Sequence, residues 1–373
     1  MPSRNKTNLL TALSLATLTA TLTACGGTDT AGTSKEGDNR IAQVPLQGEV
    51  ALNGAGASFP APLYQNWFVT INQIFSKLLI NYQSTGSGAG VEQFIQGTID
   101  FGASDVAMTD EDMARVSRGV LLLPMTAGSI VMAYNLPGVE GLKLSREAYV
   151  GIFLGTITRW NDAKIAADNP DLKLPDEEIT VVHRADGSGT TGVFTKFLSA
   201  VSPEWKKSIG EGKAVQWPTK KGKFLGGRGN EGVTALIQQN QGSIGYIEYG
   251  FAKNNNLPMA ALQNQAGKFV APDETNAAAT LANVELPENL RAFIVDPPGE
   301  NSYPIVTYSW MLVYKKYNDP QKALAMEAMI EFGLNQGQEQ SAALGYIPLP
   351  KNVRERVAAA ADVIYPDYTI KVD

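Results

Sequence analysis

The pattern that most constrains this chain is a short apolar run, a turn of small residues and an amphipathic stretch, met several times over. Val50-Ala51-Leu52 reads as a strand and ends in the loop Gly54-Ala55-Gly56-Ala57-Ser58. Pro60 and Pro62 suit the first turn of a helix, and Tyr64, Trp67, Phe68, Ile71, Ile74 and Phe75 follow at helical spacing. Ile80-Asn81-Tyr82 is a second strand, followed by Gly86-Ser87-Gly88-Ala89-Gly90 and a helix over residues 91–95. A third strand starts at Ile99-Asp100-Phe101-Gly102 and breaks at Ala103-Ser104-Asp105. The repeat predicts βαβ units and a largely parallel sheet.

Further on, residues 119–123 and 128–134 read as two strands with Pro124 between them. A helix is expected over 145–154, ahead of the turn Trp160-Asn161-Asp162. Residues 178–182 form a strand that runs into Arg184-Ala185-Asp186-Gly187-Ser188-Gly189-Thr190, with a helix over 193–198. Strands at 243–249 and 305–314 and a helix at 320–334 complete the pattern. A length of 373 residues fits about two domains, and a 44% hydrophobic content excludes global disorder.

Three strand-to-helix turns share one design: Gly56-Ala57-Ser58, Gly86-Ser87-Gly88 and Gly187-Ser188-Gly189-Thr190. Small residues let backbone N–H groups approach a ligand, and the helix that follows presents unpaired N–H groups and the positive end of its dipole. Each turn alone is also ordinary loop and capping chemistry. Together, with Arg184 just upstream of one, they favour a site for a tetrahedral oxyanion, because a guanidinium is a planar fork for two oxygens. Asp186 could lie on the same side of the chain and hold Arg184, or the two could form a surface pair of little consequence.

Other chemistries fail on inspection. With 31 basic and 37 acidic residues the net charge is −6, which argues against a nucleic-acid partner. The single His and single Cys argue against a zinc cage and exclude an internal disulfide, and no metal or cofactor is expected. The Gly-Lys pairs at 212, 222 and 267 are followed by Ala, Phe and Phe, so no Walker motif exists. His183 adjoins Arg184 on an expected strand and points to the opposite face, and Gly187-Ser188-Gly189 lacks the spacing of a nucleophile elbow. A hydrolase is thereby disfavoured.

Cys25 stands at one revealing place. Arg4 and Lys6 precede an apolar run of Leu, Ala, Thr and Ser, which ends in Leu22-Thr23-Ala24-Cys25. This is the layout of a secretory signal over 1–24, too short for a membrane span. The ending resembles a bacterial lipobox, in which the Cys carries the lipid. Removal of the signal takes the charge from −6 to −8. Residues 25–47, polar and rich in Gly and Thr, read as the lipidated Cys and a flexible tether. The expected location is the periplasm or the outer face of the cytoplasmic membrane.

From about Val50 to the C-terminus the motifs Gly54-Ala55-Gly56-Ala57-Ser58-Phe59-Pro60, Gly86-Ser87-Gly88-Ala89-Gly90-Val91, Asp100-Phe101-Gly102-Ala103-Ser104-Asp105 and residues 184–190 occur in an order that resembles the phosphate-binding proteins of bacterial phosphate-specific ABC transporters. Gly226-Gly227-Arg228-Gly229-Asn230-Glu231-Gly232 and residues 242–249 look like the family too. The resemblance implies a type II periplasmic-binding-protein fold of class α/β. Its two lobes of mixed sheet are flanked by helices and joined by two crossover strands, with the ligand cleft between. Lobe 1 would be 48–126 plus 304–373, and lobe 2 would be 127–303. By that likeness the phosphate ligands are Ser58, the N–H of Phe59, Ser87, Asp105, Arg184, Ser188, the N–H of Gly189, and Thr190, with Asp186 orienting the arginine. Ser58 stands where many members have Thr, which keeps the hydroxyl.

Asp105 makes physical sense of selectivity. Hydrogen phosphate can donate its proton to a carboxylate, whereas sulfate has none to give and would meet an unpaired acceptor and like charge. The expected function is binding of inorganic phosphate and delivery to the transmembrane subunits of an ABC permease, by a monomer without enzymatic activity. A phosphate sensor or scavenger with no dedicated transporter is the alternative.

Overall fold

The computed structural model describes residues 40–282 and 284–373. The signal and Cys25 lie outside these. Within the expected tether, residues 40–46 lie against the body: Arg40–Gln43 form a turn of 3-10 helix, and Ile41, Val44 and Leu46 are buried. Arg40 pairs there with Glu331 at 3.1 Å and with Asp373 at 2.7 Å.

Eleven strands are present among the described residues. In chain order they are β1 (Val50–Gly56), β2 (Leu78–Ser84), β3 (Phe101–Ser104), β4 (Val120–Asn135), β5 (Lys143–Leu144), β6 (Thr180–Arg184), β7 (Lys223–Gly227), β8 (Ser243–Glu248), β9 (Ala261–Gln263), β10 (Phe269–Val270) and β11 (Val306–Tyr314). Eight of them run β2-β1-β3-β11-β4-β8-β6-β7 in one sheet, and β10-β9-β5 make a small second one. The βαβ expectation holds for β1 with β2 and β3, and for β6 with β7 and β8, all parallel. The centre is antiparallel: β11 pairs with β3 and β4, and β4 with β8. The sheet is therefore mixed, as the resemblance implied and the local pattern did not.

Residues 119–123 and 128–134, read as two strands, are one strand of 16 residues. Proline lacks the ladder donor, so a break at Pro124 was the natural reading. Instead the register passes from Ser309↔Thr126 to Trp310↔Pro124, which leaves Met125 out of the pairing. Pro124 thus sits beside a bulge, where a missing N–H is tolerated. β4 pairs with β11 over Val120–Ser129 and with β8 over Ile130–Asn135, so it passes from one half of the fold to the other.

Each half has helices packed on its strands. Helices Ala61–Ile74, Ser87–Gln96 and Pro320–Leu334 lie on β1, β2 and β3. Helices Gly189–Val201 and Gly229–Gln239 lie on β6, β7 and β8. Burying Trp67, Phe68 and Ile71 on one helix face is worth roughly 1.5–3 kcal/mol per side chain. β1 also runs four residues beyond the expected Val50-Ala51-Leu52, to Gly56, and so takes in the first three residues of the expected loop. The three glycine-serine turns lie at the C-terminal ends of β1, β2 and β6, where each strand gives way to a helix.

Candidate oxyanion-binding site

Each turn delivers its side chain by a simple local device. Ser87 is the first residue of its helix, and its Oγ accepts the N–H of Asp105 at 3.3 Å. Ser188 caps its helix, its Oγ accepting the N–H of Thr191 at 3.0 Å. That leaves the Ser188 hydroxyl hydrogen able to serve a ligand. Phe59 is held by its carbonyl, which accepts the Tyr346 hydroxyl at 2.6 Å. Among the described residues no acceptor takes the N–H of Phe59 or of Gly189.

The expected site residues come together and are buried. Ser58, Ser87, Asp105, Arg184, Ser188 and Thr190 all expose 4% of their surface or less. Arg184 and Asp186 form the fork expected of them, Nε to Oδ1 at 2.8 Å and Nη2 to Oδ2 at 2.5 Å. This is a buried bidentate pair, not a surface one. Burial works against charge on Asp186, but the bond and charge of Arg184 and the N–H of Gly229 keep its carboxyl below the usual carboxylate range. The remaining Arg184 nitrogen, Nη1, reaches Thr190 Oγ1 at 3.4 Å.

Asp105 is the centre of the arrangement. Its Oδ1 accepts the Ser309 hydroxyl at 2.9 Å and its Oδ2 the Thr190 hydroxyl at 3.3 Å. Burial raises its pKa to about 7, although Ser309, Arg184, Thr190 and Lys213 all pull the other way. An acid poised there can accept a proton from a protonated oxyanion near neutral pH.

Two partners were missed in the sequence. Asn230, the second residue of the helix Gly229–Gln239, donates to Ser58 Oγ from its backbone N at 3.0 Å and from Nδ2 at 2.9 Å. The Gly226–Gly232 motif contained it, but a lone Asn after Gly-Arg-Gly reads as loop chemistry. Ser309 sits mid-strand on β11 and carries no local signal at all. The two halves meet across the site: Gly88 N–H donates to Gly187 O at 2.7 Å, and Asn230 bridges to Ser58. Gly189 is packed so closely that a Cβ there would lie 2.8 Å from both the Asp105 nitrogen and Oδ2. His183 stacks on Trp217 with centroids 4.9 Å apart, and burial lowers its pKa. It takes no part in the site.

Two α/β halves, connected by a long central strand and closed on a buried cradle of hydroxyls, N–H groups and one arginine, define a substrate-binding protein of the periplasmic type. A model described as a PBP superfamily domain matches residues 26–333. The phosphate-binding protein PstS of Pasteurella multocida is 42% identical over 312 residues, 83% of this chain and 89% of that protein. PstS of Haemophilus influenzae is 40% identical, over 84% of this chain and 93% of its own. The chain belongs to this family of phosphate-binding proteins. Its relatives carry the names of binding proteins, not of enzymes. Among solved structures, a phosphate-binding protein from Stenotrophomonas maltophilia superposes with a TM-score of 0.69 at 21% identity, covering 83% of this chain and 94% of that one. A high-affinity periplasmic phosphate-binding protein, determined with phosphate bound, gives 0.66 at 21%, covering 83% and 93%. These two likenesses speak to the fold. No helix among the described residues is long and apolar enough to cross a membrane.

Proposed function

We propose that this protein binds hydrogen phosphate between its two halves and hands it to an ABC-type permease outside the cytoplasmic membrane, tethered by a lipid on Cys25. The boundary between the halves is put at 126/127 and 303/304, next to the point where β4 changes partners. The ligand set is Ser58, the Phe59 N–H, Ser87, Asp105, Arg184, Ser188, the Gly189 N–H and Thr190, with Asp186 fixing the guanidinium and Asn230 bracing Ser58. A monomer acting as a carrier, not a catalyst, fits this reading.

The observation that carries it is a carboxylate, Asp105, buried among donors in an anion cradle. Against a fully deprotonated anion that group is a liability. Against hydrogen phosphate it is an acceptor for the one hydrogen the ligand owns. Leaving it unpaired costs roughly 1–3 kcal/mol, and more for a charged group. Calorimetric titration of the purified protein at pH 8 is expected to give tight phosphate binding and at least 100-fold weaker sulfate binding. Asp105→Asn should narrow that ratio by tenfold or more, because the amide can donate to sulfate. Equal affinity of the native protein for both anions would sink the reading. For Cys25, metabolic labelling with a fatty acid should mark the native chain and not Cys25→Ser.

A further inference from the structure

Beside Asp105 the cleft continues into a cavity of about 200 Å³. Asp105 and Thr307 line it from one half, and Gly192, Lys196, Glu211 and Lys213 from the other. Lys196 is engaged with Glu211 at 3.4 Å. Lys213 shares the cavity with Asp105, is largely buried, and has no acidic partner within ion-pair distance among the described residues. Its place is fixed by its own backbone, since Lys213 O accepts the N–H of Ser188 at 2.8 Å. The cation is thus tied to the same turn that caps the binding helix.

We propose that Lys213 is a specificity-determining residue: its charge keeps Asp105 negative and thereby keeps sulfate out. The inference rests on the oxyanion reading of the site. Two cations act on Asp105, Arg184 the more strongly and Lys213 the less, and they are not equivalent. Arg184 is neutralised by its fork with Asp186, and a bound dianion would absorb what remains of its field. Lys213 has no carboxylate within ion-pair distance among the described residues, Asp112 and then Asp105 being the acids that act on it. The other ionisable groups coupled to Asp105 are Glu248 at the end of β8 and Tyr64, Tyr82 and Tyr346, and none supplies positive charge. Burial lowers the pKa of Lys213, while Asp112 and Asp105 itself favour its charged form.

The proton count then separates the two anions. Phosphate can bring the proton that Asp105 accepts, so it binds whether that proton starts on ligand or carboxyl. Sulfate brings none and can enter only when Asp105 has taken one from solvent. Sulfate affinity should therefore fall about tenfold per pH unit above the Asp105 midpoint. Removing a nearby opposite charge raises a carboxyl midpoint by roughly one unit.

The test is sulfate affinity measured by calorimetry from pH 5.5 to 9 on the whole protein, with phosphate titrated alongside. In Lys213→Met the fall in sulfate affinity is expected to begin about one pH unit higher, which makes sulfate up to roughly tenfold tighter than in the native protein at pH 8.5. Lys213→Arg should restore the native profile, which a purely structural role for the aliphatic stem would not require. An unchanged midpoint in Lys213→Met, or an equal shift in Lys213→Arg, overturns the proposal. Should Lys213→Met fail to fold, Lys213→Gln is read the same way. If the native protein binds no phosphate, it is the reading of the site that falls, not the role of Lys213.

Discussion

Gly189 and Arg184 limit the binding site in opposite ways, one by space and one by charge. At Gly189 a single methyl would press on Ser87 Oγ and stand 2.8 Å from the Asp105 nitrogen, and backbone cannot yield as a flexible side chain can. The two halves would then be held apart by the width of that methyl. Gly189→Ala is expected to lower phosphate affinity at least 100-fold in a calorimetric titration while the far-UV circular dichroism stays native. Arg184 differs because its loss strands a charge. Asp186 would keep backbone N–H groups alone, those of Gly229 and of Asp186 itself, and the anion would lose its fork. Truncating one member of a buried charged pair costs about 2–5 kcal/mol, so Arg184→Ala should weaken phosphate binding by roughly 30-fold to several thousand-fold. Asp186→Asn, which keeps one acceptor, should fall between that variant and the native protein in the same titration.

The elements explain why such residues end up within hydrogen-bond distance. The helix Ser87–Gln96 lies so close on β1 that a Cβ on Gly90 would meet the backbone of Gly56, and would lie 2.9 Å from Ala55 O. Gly90→Ala must push that helix off the sheet and carry Ser87 with it. Both the melting temperature and phosphate affinity should drop, in contrast to Ser145→Ala. There only the cap on Ala148 is lost, about 0.5–2 kcal/mol of stability, and binding should be unchanged. What the sequence made legible follows the same division. The turns carrying Ser58, Ser87 and Thr190 could be read because glycine-serine chemistry and helix starts are local. Arg184 and Asp186 could be read because two residues on one turn share a side. Ser309 could not, since it reaches Asp105 only through the antiparallel pairing of β11 with β3, 204 residues away in the chain. Asn230 reaches Ser58 across 172 residues by the meeting of the two halves, which no periodicity encodes. The single strand across Pro124 was hidden for the converse reason: a local signal said break, and a bulge paired across β4 and β11 overrode it.

At the scale of the whole molecule, Thr190 and Gly189 of the opposite half complete the burial of Asp105. Its desolvation is thus a cost of the closed, ligand-free state, and pH sets how large that cost is. In the unfolded chain this carboxyl titrates near 3.8, and in the closed fold near 7. Between those values the native state holds a proton that the unfolded chain has released. Stability from this group is therefore fully present below about 4 and is lost as pH rises through about 7, by up to about 1.4 kcal/mol per unit. Glu327, buried on the helix Pro320–Leu334 and also raised to about 7 by that burial, contributes in the same direction. Asp186 runs the other way, its low pKa giving stability that is lost on acidification. The Asp105 share is isolated by difference. Scanning calorimetry of the phosphate-free native protein and of Asp105→Asn, from pH 4.5 to 8, should give a gap in favour of the variant that widens with pH and levels off above about 7. Saturating phosphate should close that gap, because the ligand's proton satisfies the carboxylate and the ligand stabilises the state it binds. A gap that stays constant across the range would mean that Asp105 is not desolvated by closure, and the selectivity argued from its burial would lose its physical basis.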